Sequence, residues 1–184
     1  MTIFLIGYMA SGKTTLGRAL ARELGHRFID LDFYIEQRFR RRIPEIFAAN
    51  GEDGFREIEA RMLREAGEFC DTVISCGGGT PCHGDNMDYM LSHGVTVWLD
   101  AGVECICRRL ATAKTRRPIV EGKSAEELPS FIAAHLAERL PHYRRAEIRI
   151  SSERLESRGQ IADTIATLRP LLTEHGRKGA VNPE

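Results

Sequence analysis

Near its start the chain reads "IFLIGYMASGKTTLGRAL", an apolar run, then a loop framed by Gly7 and Gly12, then Lys13 and Thr14 opening a helical pattern. The spacing G-x-x-x-x-G-K-[ST] narrows what can be built here, because the two glycines let the backbone curl until consecutive N–H groups converge on one anion. Ile3 to Ile6 predict a buried strand, and Leu16, Ala19, Leu20 and Leu24 recur at helical spacing. A loop between strand and helix aims its amides and the positive end of the helix at the phosphates of a nucleotide. Ala10, Ser11, Gly12, Lys13, Thr14 and Thr15 are the residues that would line it, with Lys13 reaching the β- and γ-phosphates and Thr14 reaching Mg²⁺. The plain alternative, a glycine turn with a chance lysine, does not account for a strand before the loop and a helix after it.

The rest of the chain alternates in the same way. Strands are expected around Arg27 to Ile29, Thr72 to Cys76, Val95 to Leu99 and Glu147 to Ile150. Helical patterns fall at Phe33 to Phe39, Ile43 to Ala49, Glu52 to Glu68, Asn86 to Ser92, Val103 to Leu110, Ala125 to Arg145 and Gln160 to Leu172. Strands separated by helices imply right-handed crossovers, hence an α/β fold of three layers, α/β/α, around a parallel sheet of about five strands. With 184 residues and no long linker, one domain over residues 1–172 is expected, followed by a flexible tail over 173–184.

Lys plus Arg equals Asp plus Glu at 26 each, so no global field favours nucleic acid or an anionic membrane. The first apolar run breaks at Gly7, which leaves neither a signal-peptide pattern nor a spanning segment and makes a cytoplasmic protein the expectation. Five cysteines, at 70, 76, 82, 105 and 107, lie in or beside apolar segments, as reduced core thiols do.

In an open parallel sheet the chemistry belongs at the carboxyl ends of the strands. "FIDLDFYIEQ" sets Asp30 and Asp32 two apart, on the same side of an extended chain, where two carboxylates can divide the work of holding Mg²⁺ and orienting a hydroxyl. Alternatively one of them, Asp32 in this reading, caps the helix beginning near Phe33. "ISCGGGTP" puts no side chain between Cys76 and Thr80, so a ligand can approach the backbone of Gly77, Gly78 and Gly79 closely. "TAKTRRPIVEGKS" crowds Lys114, Arg116, Arg117 and Lys123 into a segment with Pro118 and Gly122. That suits a mobile lid over residues 111–123 carrying Arg117 to the phosphates, or else a solvated charge run. Arg56 and Arg139 read singly as surface ion pairs or as anion ligands.

Taken together, "GYMASGKTTLGRALA", "IDLDFYIE", "IPEIFAANGEDGFREIE", "ISCGGGTP", "RRPIV" and "ERLPHYRR" follow one another in the order and spacing of the shikimate kinase family, which the chain resembles from Ile3 to about Leu172. The resemblance implies a nucleoside-monophosphate-kinase-like P-loop enzyme that moves the γ-phosphate of ATP to the 3-hydroxyl of shikimate. By position it implies Lys13, Asp32 and Arg117 as catalytic residues, and Thr14 with Asp30 around Mg²⁺. Asp32, Arg56, Gly77, Gly78, Gly79 and Arg139 would hold shikimate in a substrate region over about residues 32–60 and beyond. Arg109 and the loop near Arg154 would meet adenine, and a monomer acting on ATP and shikimate alone is expected.

The pattern fits the chemistry of such an acceptor: guanidinium forks suit its carboxylate, while an aspartate and backbone amides suit its hydroxyls. Ala10 and Arg40 stand where the family often has glycine, so a stiffer phosphate loop and a longer or more helical turn after Phe39 are expected. Two other readings share some of these residues. A gluconate kinase has the same fold and loop, and a nucleotide-binding module without turnover would keep the loop but have no use for Asp32, Arg56 and Arg139 together.

Overall fold

The computed structural model describes residues 1–112, 124 and 126–178. Its strands are β1 (Thr2–Ile6), β2 (Arg27–Asp30), β3 (Thr72–Ser75), β4 (Val95–Asp100) and β5 (Ile148–Ser151), lying in the order β2-β3-β1-β4-β5. Every adjacent pair is parallel. The helices are α1 (Lys13–Leu24), α2 (Leu31–Phe39), α3 (Ile43–Gly67), α4 (Asn86–His93), α5 (Val103–Thr112), α6 (Glu127–Tyr143) and α7 (Arg158–Lys178).

The strands divide their side chains between two cores, as a period of two requires. Ile3 and Leu5 of β1, Val73 of β3 and Val97 and Leu99 of β4 face one layer, packing with Leu16 and Leu20 of α1 and Ile165 and Leu168 of α7. Phe4 and Ile6, Ile74 and Trp98 face the other, against Ile35, Leu63, Met90, Ile106 and Ile132 of the remaining helices. Because both faces are covered, β1 runs unbroken in apolar residues from Ile3 to Ile6 after Thr2. The expected three layers are present. Among the described residues, no helix is long and apolar enough to cross a membrane.

The topology brings two loops together. From β1 the chain crosses to β2 at the edge, returns to β3 beside β1, then passes to β4 on the other side. The loops leaving β1 and β3 therefore exit side by side at the carboxyl end, at the point where strand order reverses.

Several boundaries differ from expectation. Helix α2 begins at Leu31 instead of Phe33, and Asp30 is its N-cap, its carboxylate accepting from the Phe33 N–H at 3.4 Å. The cap is thus Asp30 and not Asp32, and with Asp32 already helical the two carboxylates do not share one side of an extended strand. The two helices expected at Ile43 to Ala49 and Glu52 to Glu68 are, by contrast, both present within α3, which breaks where Gly51 takes φ 69° and ψ −176°. Helix α7 continues past Leu172 to Lys178, so the first part of the expected tail is helical. Leu172 and Leu168 anchor it in the core.

Both glycine replacements carry the strain themselves. Ala10 adopts φ 58° and Arg40 φ 50°, left-handed values that cost a non-glycine residue about 1–2 kcal/mol. Arg40 ends α2 by donating its N–H to the Glu36 carbonyl. The turn after Phe39 is therefore neither longer nor more helical; an arginine occupies the conformation glycine would take.

Candidate active site

The phosphate loop is built by what its glycines avoid. Gly7 sits at φ 141°, and a Cβ there would lie 2.6 Å from the Leu99 carbonyl oxygen of β4. Gly12 precedes α1 at φ 97°, a backbone conformation that residues with a side chain rarely adopt. The Lys13 ammonium is buried and donates to the carbonyls of Gly7 and Tyr8, each at 2.8 Å, with Ser11 Oγ at 3.5 Å. Ser11 is buried, Ala10 and Thr14 are half-buried, and Thr15 is exposed. The Thr14 hydroxyl donates to Asp30 Oδ2 at 2.9 Å, so the first helical hydroxyl and the carboxylate ending β2 meet. In the sheet Asp30 is paired with Ser75, at the end of β3.

The glycine loop after β3 gathers a second set of residues. A Cβ on Gly77 would stand 3.0 Å from Asp32 Oδ1, one on Gly78 would stand 3.0 Å from Arg139 Nη1, and one on Gly79 would stand 3.0 Å from both terminal nitrogens of Arg56. Any side chain there would displace one of three charged groups that come from α2, α6 and α3. The same loop runs close to the first one, since a Cβ on Gly78 would also lie 3.5 Å from the Gly7 carbonyl oxygen and the Met9 nitrogen. The phosphate loop and the charged cluster thus share an edge.

Sequence reasoning passed over two supports of this cluster. Glu59 is 1% exposed and accepts from Arg56 Nη1 at 2.9 Å and from the Thr80 hydroxyl at 2.6 Å. The i,i+3 spacing from Arg56 was the available signal. Tyr8 lies with its ring 5.5 Å from the Arg139 guanidinium and shares a 2.8 Å hydrogen bond with His135 Nδ1. Burial, and then the Arg139 charge, hold the His135 imidazole below its ordinary pKa. Because Glu59 anchors Arg56 from a buried position, Glu59→Gln is expected to destabilise the fold by about 1–3 kcal/mol and to weaken acceptor binding more than nucleotide binding. Thermal melts and separate ligand titrations check this, and unchanged values in both would show the pair to be inert.

Arg109, on α5, reaches over the phosphate loop. It donates to the Ala10 carbonyl at 3.3 Å and the Ser152 carbonyl at 2.6 Å, and pairs with Glu156 at 2.9 Å. Arg154 is exposed on the loop before α7. Arg117 and most of the expected lid lie outside the described residues. Cys76 and Cys105 are buried, as expected of core thiols, whereas Cys70 is exposed in the turn between α3 and β3. Burial raises the Cys76 thiol far above its usual range, which leaves it protonated. Among the described residues, no group of three or more His, Cys, Asp or Glu could hold a metal ion, and the oxygens that meet beside the phosphate loop are those of Thr14 and Asp30. Hard oxygen donors of this kind suit Mg²⁺, which keeps waters and takes phosphate oxygens for the remaining positions.

A parallel sheet of this order, with a phosphate loop after its central strand and a charged cluster beside it, defines a P-loop phosphotransferase of the small-molecule class. The family model for shikimate kinase matches residues 9–169. A shikimate kinase of Bacteroides fragilis is 52% identical over 173 residues, covering 94% of this chain and 97% of its own. One of Phocaeicola vulgatus is 49% identical over 172 residues, covering 94% and 98%. The crystal structure of shikimate kinase from Bacteroides thetaiotaomicron superposes with a TM-score of 0.91 at 48% identity, covering 94% of this chain and 98% of that one. That of Acinetobacter baumannii shikimate kinase in complex with shikimate gives 0.78 at 31% identity, covering 94% and 93%. The chain belongs to the shikimate kinase family.

Proposed function

We propose that this chain transfers the γ-phosphate of ATP to the 3-hydroxyl of shikimate, yielding shikimate 3-phosphate and ADP. The observation that carries the reading is the convergence of Asp32, Arg139 and Arg56 on three successive glycines against the phosphate loop. Two guanidiniums answer the single carboxylate of shikimate, and an aspartate with glycine-loop amides answers its hydroxyls. The relative with shikimate bound supports the same acceptor.

In this reading the amides from Ala10 to Thr15 cradle the β- and γ-phosphates, and Lys13 gives up its loop carbonyls for the γ-phosphate as negative charge shifts during transfer. Asp32 accepts a hydrogen bond from the attacking hydroxyl and orients it in line. Arg109 and the loop at Arg154 border the adenine. Thr14 and Asp30 would hold Mg²⁺, which when bound with ATP would neutralise part of the negative charge of the phosphates. Arg117 would close over the phosphates and exclude water. The family resemblance extends the reading to a monomeric cytoplasmic enzyme, of which light scattering of the purified chain tests the first part.

ADP release from ATP and Mg²⁺ with shikimate, with gluconate and with neither acceptor tests the reading. Release that depends on shikimate is expected; release only with gluconate, or ATP binding without release on either acid, would replace it. Arg139→Lys keeps the charge but loses the fork, and should weaken shikimate binding by about 1.5–3 kcal/mol while leaving ATP binding nearly unchanged. Loss of ATP affinity with shikimate affinity intact would move Arg139 out of the acceptor site.

A further inference from the structure

Tyr143, the last residue of α6, is wholly buried, its ring 6.2 Å from that of Trp98. A phenylalanine would fill that space, so the hydroxyl calls for its own explanation. It donates to the carbonyl oxygen of Gly78 at 2.6 Å. Arg139 stands one helical turn earlier, and its Nη1 is 3.0 Å from where a Cβ of the same Gly78 would be. The guanidinium also faces the phenol, where it works against the burial that raises the Tyr143 pKa.

The hydrogen bond acts on more than the carbonyl it touches. The C=O of Gly78 and the N–H of Gly79 belong to one planar peptide unit and point in opposite directions. Three glycines in a row have the widest backbone freedom of any tripeptide, so an unanchored loop would sample many orientations of that amide. A hydroxyl held rigidly in the core removes the freedom at the central peptide: pulling the Gly78 oxygen toward Tyr143 aims the Gly79 N–H away from the core.

We propose that Tyr143 is a positioning residue for the acceptor, its hydroxyl fixing the Gly78–Gly79 peptide and the Arg139 guanidinium in one register so that amide and fork meet shikimate together. The proposal rests on the reading of Arg139 as an acceptor group.

Tyr143→Phe keeps the ring against Trp98 and removes only the hydroxyl. Steady-state kinetics should show the KM for shikimate raised about tenfold, the KM for ATP within about twofold, and kcat changed less than the KM for shikimate. In the double variant with Arg139→Lys, the rise should be smaller than the product of the two single rises, since both changes disturb one unit. Ile132→Val, a buried trim on the same helix, serves as the reference for simple loosening and should lower the melting temperature with both KM values unchanged. An unchanged KM for shikimate in Tyr143→Phe, equal rises for both substrates, or fully multiplicative effects would overturn the proposal. If Arg139→Lys leaves the KM for shikimate unchanged, the reading beneath the proposal fails and the proposal fails with it; if only Tyr143→Phe does so, the proposal fails alone.

Discussion

Lys13→Ala is expected to lower kcat on the order of a hundredfold or more while leaving the chain folded. The lysine satisfies two carbonyls of its own loop, so its loss disturbs a local turn and not the sheet. In the proposed mechanism its value lies in the charge it carries to the phosphates: a point charge that follows the γ-phosphate into the transition state stabilises that state more than bound ATP, and the difference appears in kcat. Nucleotide affinity should fall by less. A folded variant with more than about half of wild-type turnover would show that the loop holds nucleotide without serving transfer.

Asp32→Asn is the second large effect. The change is isosteric and leaves the space beside Gly77 filled, but it exchanges an acceptor-only group for one that cannot take the proton of the attacking hydroxyl. A fall in kcat of about 10²–10⁴ is expected, the range for a positioned acid–base group. The structural side effect is small by comparison: losing a negative charge in the first turn of α2 weakens its interaction with the helix dipole by about 0.3–1 kcal/mol. ATP titration should be unaltered, and turnover near wild type would remove Asp32 from the reaction.

How much of this was legible in the sequence differs from element to element. Strand β1 and the loop after it could be read outright, because an unbroken apolar run, two glycines and a lysine each answer to local physics. The Thr14–Asp30 meeting was also readable, from a motif residue and a carboxylate at the end of the next strand. The role of Asp30 as cap was not, since periodicity places a helix start only to within a residue or two, and a start expected near Phe33 pointed to Asp32 instead. Glu59 was hidden for a different reason. A glutamate on an amphipathic helix looks solvated, and only the fold reveals that Thr80 from the glycine loop closes over it. The strain at Ala10 and Arg40 shows the limit of residue-type rules, for tertiary structure holds both in a conformation their side chains resist.

The central claim is that the acceptor cluster presents one hydroxyl of shikimate to the γ-phosphate of ATP. Incubating the purified chain with ATP, Mg²⁺ and shikimate and following product by phosphorus and proton NMR tests it most directly. A single phosphomonoester on the 3-hydroxyl, formed in step with ADP, is the predicted result. Phosphate on another hydroxyl, or ADP formed with inorganic phosphate and unmodified shikimate, would contradict it.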